Sequence, residues 1–148
     1  MRISVKGRYA LAAVIYMAKQ HDNGQHITVI SMSENLGISK IYLEQVFSLL
    51  KRGGLVSSVK GAQGGYRLKR LPNLITVFDV LSAVELSLFE STEETAVEKA
   101  PEIEKAMQLA AFDPLDQAVK ETLGKITLDN LALETEKHRT EQGYMYYL

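Results

Sequence analysis

The chain has 148 residues, 46% of them hydrophobic and 24% charged, a composition typical of a soluble protein with one domain, or one domain and an appendage. The absence of cysteine excludes disulfides, thiolate zinc sites and cysteine-ligated iron–sulfur clusters. No apolar run approaches the roughly 20 residues that span a bilayer, and the charged start does not fit a secretory signal, so we expect a cytoplasmic protein.

The net charge of −1 conceals two halves of opposite sign. Residues 1–70 contain 11 Lys/Arg and 3 Asp/Glu, a balance of +8, and residues 71–148 contain 6 and 15, a balance of −9. A basic half is typical of a polyanion-binding surface, and the acidic half is better suited to assembly or regulation. The alternative is that both are ordinary solvated faces.

Four helix starts share one pattern, an isoleucine followed by a threonine or a serine. The hydroxyl of the second residue accepts a hydrogen bond in the first helical turn, and the isoleucine packs against an apolar residue of the same helix. The four pairs are Ile27–Thr28, Ile38–Ser39, Ile75–Thr76 and Ile126–Thr127, and their apolar partners are Met32, Leu43, Val80 and Leu131.

Three helices are predicted in the basic half. They cover about 5–20, with Ser4 as the cap, then 28–36 and 40–52. Gly37 ends the second helix and Gly53 the third, and two helices separated by such a short break are typical of a helix-turn-helix. The third helix has a core-facing stripe formed by Leu43, Val46, Phe47 and Leu50.

The following segment predicts a β-hairpin. LVSSVK is rich in β-branched residues, YRLKR alternates like a strand, and Gly61, Gly64 and Gly65 between them allow a tight turn. A phosphate-binding P-loop would need a lysine and a hydroxyl after the glycines, and a dinucleotide motif would need a helix there. Behind a helix-turn-helix, the hairpin predicts a mainly α, winged helix-turn-helix domain over residues 1–85. The alternative is a hairpin whose glycines serve the turn alone.

The acidic half predicts an acidic connector over residues 86–113, read as a loop or loosely helical, and then a helix that Asp113 caps and Pro114 begins. The apolar stripe of this helix needs a partner surface, which we expect to be a second subunit. The unit over residues 114–148 is therefore a long dimerisation helix with a C-terminal tail. Its predicted dimerisation residues are Leu115, Val119, Leu123 and Ile126.

The predicted DNA contacts lie on the N-terminal part of the third helix and on the wing. Lys60 and Arg67 flank the wing tip and neutralise phosphates, and Gln63 carries a donor and an acceptor. Glu44 would accept from cytosine and Gln45 would pair with adenine, although an ion pair with Lys40 is the alternative for Glu44. The full predicted set is Arg8, Ser39, Lys40, Ile41, Tyr42, Glu44, Gln45, Lys60, Gly61, Gln63, Gly64, Gly65, Tyr66 and Arg67.

Three parts of the chain carry a resemblance to a known family: RISVKGRYAL, then GISKIYLEQVFSLLKRGGLVSSVKGAQGGYRL, and ITVFDVLSAVE with ITLDNLA. Over nearly its whole length the chain resembles the bacterial winged-helix repressors that include IscR, NsrR and CymR. The resemblance implies a homodimer with crossing C-terminal helices and an operator of double-stranded DNA. It also implies DNA contacts at the positions of Ser39, Ile41, Glu44 and Lys60, where Ile41 departs from the small or polar residues frequent in the family.

Cluster-binding members of this family place three cysteines before the dimer helix, and residues 86–113 contain none. The chain therefore resembles the cysteine-free, CymR-like members, which implies no metal or cofactor and a response to a metabolic enzyme or a small-molecule effector. The predicted function is a dimeric, sequence-specific DNA-binding repressor, with sulfur or cysteine metabolism as its suggested target. An interaction module that keeps the fold without binding DNA is the alternative. An enzyme is disfavoured because the three histidines show no ligand spacing.

Overall fold

The computed structural model describes residues 2–21, 26–61 and 64–146, with residues 140–146 described by their backbone alone. The helices are α1 Val5–Lys19, α2 Val29–Leu36, α3 Lys40–Arg52, α4 Val77–Val84, α5 Pro101–Met107, α6 Asp113–Gly124 and α7 Leu128–Tyr146. A 3-10 helix, Pro72–Leu74, precedes α4, and a π-helical turn, Gln108–Phe112, joins α5 to α6. No helix in these ranges is long and apolar enough to cross a membrane.

The predicted wing is confirmed as an antiparallel hairpin of β1, Val56–Ser58, and β2, Tyr66–Leu68. Ser57 lies opposite Arg67 in the register of the two strands. The hairpin follows α3 directly, and together α2, α3 and the two strands form the winged helix-turn-helix that the sequence predicts.

The predicted helix caps are also confirmed. Ser4 accepts the N–H of the residue three positions ahead at 3.1 Å, and Thr28 and Ser39 do the same at 3.0 and 3.2 Å. The hydroxyls of Thr76 and Thr127 also accept the N–H of the residue three positions ahead. In return, the side chains of Asp79 and Asn130 accept the N–H of Thr76 and Thr127, at 2.9 and 3.0 Å. These reciprocal bonds satisfy two of the backbone donors that a helix start leaves without a partner.

The isoleucines before three of these caps belong to short backbone pairings. Ile27 pairs with Tyr66 through two hydrogen bonds of 2.8 and 2.9 Å, an isolated β-bridge that attaches the entry to α2 to the edge of β2. Thr76 pairs with Thr127, flanked by a bond from the Leu128 N–H to the Ile75 oxygen at 2.9 Å. The same local pattern therefore caps helices and connects distant parts of the chain.

A single hydrophobic core joins α1, α3, α4 and the hairpin. Leu128, the first residue of α7, is fully buried in this core, and Lys19 Nζ on α1 lies 3.2 Å from Glu136 Oε1 on α7. The chain after α6 thus returns to the winged-helix domain. The largest fully buried side chains are Phe47, Met17, Met32, Leu43, Leu50, Leu55, Ile75, Leu81 and Leu128.

The predicted helix start at Asp113–Pro114 is wrong, because the helix begins at Pro101 and continues through the π turn into α6. Asp113 has helical backbone angles (φ −62°, ψ −46°) and makes no capping bond. Its N–H bonds to the oxygen of Gln108, five residues back. Pro114 has no N–H for a regular helical bond, and the wider π turn accommodates a proline inside the helix.

We expect Gly65→Ala to lower the melting temperature of the protein. Gly65 has φ 147°, and a Cβ there would lie 2.6 Å from His26 Cδ2 and 2.9 Å from the Ile27 oxygen. The wing would have to move away from Ile27, at a cost of about 1–3 kcal/mol. Gly61→Ala is the matched control, because a Cβ there meets no described atom within 4 Å. Equal melting temperatures for the two variants at one protein concentration would contradict this close approach.

Candidate nucleic-acid interface

Helix α3 has one buried and one exposed face, as a DNA-reading helix requires. The buried face consists of Leu43, Val46, Phe47 and Leu50, all fully buried. The opposite face is exposed and consists of Lys40, Ile41, Glu44, Gln45 and Ser48. Viewed down the helix axis, these five residues lie within less than half of the circumference. A single partner surface can therefore contact them together.

The N-terminus of α3 combines a cap with a cation. The Ser39 hydroxyl oxygen accepts the Tyr42 N–H, and its own proton remains available for a phosphate oxygen. Lys40 Nζ lies 4.0 Å from Glu44 Oε1, with both side chains more than half exposed. The ion pair considered as the alternative for Glu44 is therefore present, and such an exposed pair is worth only a few tenths of a kcal/mol. Both side chains stay available to DNA.

Ile41 lies between these polar residues and is 71% exposed, more than any other large hydrophobic residue of the described chain. An aliphatic side chain that is exposed to water contributes no hydrophobic stabilisation to the folded chain. An apolar contact with a thymine methyl in the major groove would bury it.

Two predicted contacts, Tyr42 and Tyr66, pack against other rings. Tyr42 meets Tyr9 edge to face, with the ring centres 5.0 Å apart, and Tyr66 stacks on Phe47 with the centres 4.5 Å apart. Both tyrosines are half-buried. Tyr66 therefore fixes the wing on α3, a role that strand spacing alone does not reveal.

The wing is fastened to the end of α3. Lys51 Nζ donates to Ser58 Oγ at 2.9 Å, and within the hairpin the Val59 N–H donates to the Gly65 oxygen at 2.9 Å. Lys60 and Gly61 are exposed beyond this bond, where a nucleic-acid backbone could approach. Gln63, the remaining predicted tip residue, lies outside the described residues.

Arg67 and Arg8 lie apart from the wing tip. Arg67 is exposed in the middle of β2, where it borders a cavity with Gln20 and His21 at the end of α1. Arg8 is exposed in α1. Both can contribute to a positive surface, but the structure brings neither beside the exposed face of α3.

Lys6 is a candidate DNA contact that the sequence prediction did not include. It lines a shallow groove together with Ile41, Glu44, Gln45 and Ser48, so α1 supplies a cation next to the exposed face of α3. The signal was present in RISVKGRYAL, but only the packing of α1 on α3 distinguishes Lys6 from Arg8.

The family of this protein follows from comparison with known sequences. A family model described as "Rrf2: Iron-dependent Transcriptional regulator" matches residues 3–134. The chain belongs to the Rrf2 family of transcriptional regulators. The HTH-type transcriptional regulator CymR of Bacillus subtilis is 35% identical over the full length of both chains. IscR of Xenorhabdus nematophila is 38% identical over 92% of this chain and 82% of its own.

Solved structures agree with the sequence comparison. The structure titled "The Structure of CymR (YrzC) the Global Cysteine Regulator of B. subtilis" matches with a TM-score of 0.70 at 34% identity, covering 90% of this Rrf2 chain and 98% of that one. IscR of T. potens matches with a TM-score of 0.70 at 32% identity, covering 99% and 97%. The predicted fold and the predicted class of function are confirmed: the chain is a winged-helix, DNA-binding transcriptional regulator, and the relatives named above are all called regulators.

The iron in the family description does not fit the side chains of this Rrf2 member. The sequence has no cysteine, and the described residues include no group of three or more His, Cys, Asp or Glu that could hold a metal ion. A cysteine-ligated cluster needs thiolates, so the chain lacks the ligands for one.

We expect the protein purified without oxygen to show no visible absorbance from an iron–sulfur cluster, and to bind DNA equally well before and after treatment with EDTA. The reason is the absence of thiolate ligands. Absorption spectra and iron analysis measure the first property, and gel-shift titration the second. A cluster-binding family member purified in parallel is the positive control. Stoichiometric iron, or a loss of DNA binding in EDTA, would contradict the expectation.

Proposed function

We propose that this regulator is a dimeric repressor that binds a pseudo-palindromic operator with α3 and the wing, independently of an iron–sulfur cluster. The exposed polar face of α3 is the observation that carries the proposal, since the opposite face of the same helix is fully buried. The wing is held at the end of the same helix, since Lys51 Nζ donates to Ser58 Oγ and the Tyr66 ring stacks on Phe47 of the buried face.

The two kinds of DNA contact are assigned by chemistry. Lys6, Arg8, Lys60 and Arg67 contact phosphates and supply the salt-dependent part of the affinity. The base-reading residues are Ile41, Glu44 and Gln45, with thymine, cytosine and adenine as their respective partners. At the wing tip a lysine beside glycines suits a narrow and electronegative minor groove.

The dimer is inferred from an unpartnered apolar surface on the continuous helix 101–124. Within the described chain neither α5 nor α6 contains a buried residue, and Leu115 is 58% exposed. Val119, Leu123 and Ile126 are half-buried. Upstream, three further apolar residues are exposed, namely Ile103, Leu109 and Phe112. Monomeric proteins rarely expose such a surface, and a two-fold dimer would bury it against its own copy.

The two-fold axis also determines the form of the operator. It places two copies of α3 on one side of the duplex, in major grooves separated by multiples of roughly 34 Å. Each copy then reads one half-site, and the half-sites are related by inverted symmetry.

The proposed signal is metabolic and the proposed location is the cytoplasm, where bacterial chromosomal DNA is accessible. The relative from B. subtilis is titled a global cysteine regulator, which supports sulfur or cysteine metabolism as the regulated process. A metabolic enzyme or a small molecule would act as the effector. Genome-wide mapping of bound sites, before and after sulfur limitation, tests this assignment.

We expect Lys60→Ala and Arg67→Ala each to weaken binding to operator and non-operator DNA alike. Each lost phosphate contact should flatten the plot of log affinity against log salt by about 0.9. Fluorescence anisotropy at several salt concentrations measures both effects. Lys99→Ala is the matched control, since Lys99 is equally exposed but lies in the acidic connector. A salt slope that neither wing variant changes would refute the phosphate contacts.

We expect Leu115→Glu to separate the dimer into folded monomers with much weaker operator binding. Leu115 is exposed in the single chain, so a glutamate there leaves the core intact, but in the dimer it would bury an unpaired charge at a cost of several kcal/mol. Gln117→Glu introduces the same charge on the opposite side of α6 and is the control. Equilibrium sedimentation measures the assembly. A Leu115→Glu protein that remains dimeric at micromolar concentration would rule out this interface.

A further inference from the structure

A cavity of about 270 Å³ lies between the end of α1 and the second strand of the wing. Its floor is apolar and is formed by Met17, Ile27 and Leu68. No residue of α3 lines the cavity, so it is separate from the exposed face assigned to base reading. Of the lining residues, the proposed DNA contacts use Tyr66 and Arg67 at most, and they leave the space itself without a role.

The rim of the cavity consists of hydrogen-bond donors and cations. Ser57, Arg67 and Lys69 come from the hairpin, and Gln20 and His21 from the end of α1. The described lining contains no aspartate or glutamate. An arginine fork and an ammonium group on one rim recognise a carboxylate or a phosphate.

The two cations of the rim form no ion pair with any described residue. Among the described residues neither Arg67 nor Lys69 forms an ion pair, whereas Arg70, the next residue along the chain, lies 3.9 Å from Asp79. Two cations that are unpaired among the described residues, beside a cavity whose described lining holds no acid, leave a positive potential that a small anion would neutralise.

We propose that this cavity binds a small anionic metabolite, whose carboxylate or phosphate group is held by Arg67 and Lys69 and whose short apolar part lies on Met17, Ile27 and Leu68. The volume of about 270 Å³ is just below the usual range for drug-sized ligands, so the ligand is comparable in size to an amino acid.

Binding here would be linked to the position of the wing. Ile27 and Tyr66 line the cavity and are joined by two backbone hydrogen bonds of 2.8 and 2.9 Å, while the Tyr66 ring stacks on Phe47 of α3. A ligand that favours one distance between Ile27 and the wing would change the DNA-binding surface. This regulatory role rests on the proposed function, whereas binding of the anion does not.

The test therefore uses the free, full-length protein without DNA. Backbone amide spectra are recorded during titration with inorganic phosphate and, separately, with succinate, against sodium chloride at the same ionic strength. We expect saturable shifts at the amides of Gln20, Ile27 and Tyr66 with at least one probe. Lys69→Glu should weaken this binding roughly tenfold or more, because it reverses one of the two rim charges.

Lys105→Glu is the matched control, since Lys105 is an equally exposed lysine on α5. We expect Lys69→Glu to fold normally, because Lys69 contributes to the hairpin through its backbone N–H, which donates to the Leu55 oxygen at 2.9 Å.

The absence of saturable shifts with both probes, or equal affinity in Lys69→Glu and the unaltered protein, would overturn the proposal. If anions do not bind but Lys69→Glu weakens DNA binding, the rim is a phosphate contact of the DNA surface instead. Saturable anion binding in a protein that fails to bind any operator would refute the proposed function alone.

Discussion

The wing depends on the pairing of Ile27 with Tyr66. Two strands of three residues each form a hairpin that would be marginal by itself. The bonds to Ile27, of 2.8 and 2.9 Å, form a β-bridge that ties β2 to the start of α2, and Gly65 provides the room because it has no Cβ. Since Tyr66 also stacks on Phe47, the wing and α3 present one surface to a duplex.

Backbone pairing of the residues before a helix cap also positions the second half of the chain. Residues that precede a helix cap are extended, so their backbone groups are free to pair while the isoleucine side chain enters the core. Ile75–Thr76 and Ile126–Thr127 pair in this way, which fixes the start of α7 beside the start of α4. The continuous helix 101–124 ends just before this pairing, and its last part, α6, contacts α4.

Local signals explain why much of this fold could be predicted from the sequence. Caps such as Ser39 and Thr76 depend on residues three positions apart, and the glycine-rich hairpin depends on its own turn. The start of the long helix could not be predicted, because the sequence Asp113–Pro114 fits two structures equally well. It is typical of a helix start, and it also fits inside a helix directly after a π turn. Lys6 and the cavity behind the wing depend on the packing of α1, which no local spacing encodes.

Charge adds the last constraint on how the molecule meets DNA. The basic residues are concentrated before residue 71 and the acidic residues after it, and the structure places the basic part in α1, α3 and the wing and most of the acidic part in the connector and the helix 101–124. A polyanion attracts the first and repels the second. Helix α1, which contacts α3, α4, α7 and the second strand of the wing, connects the basic part of the molecule to the C-terminal helix. Because the chain has no cysteine, a cysteine-ligated cluster cannot act on these packing contacts.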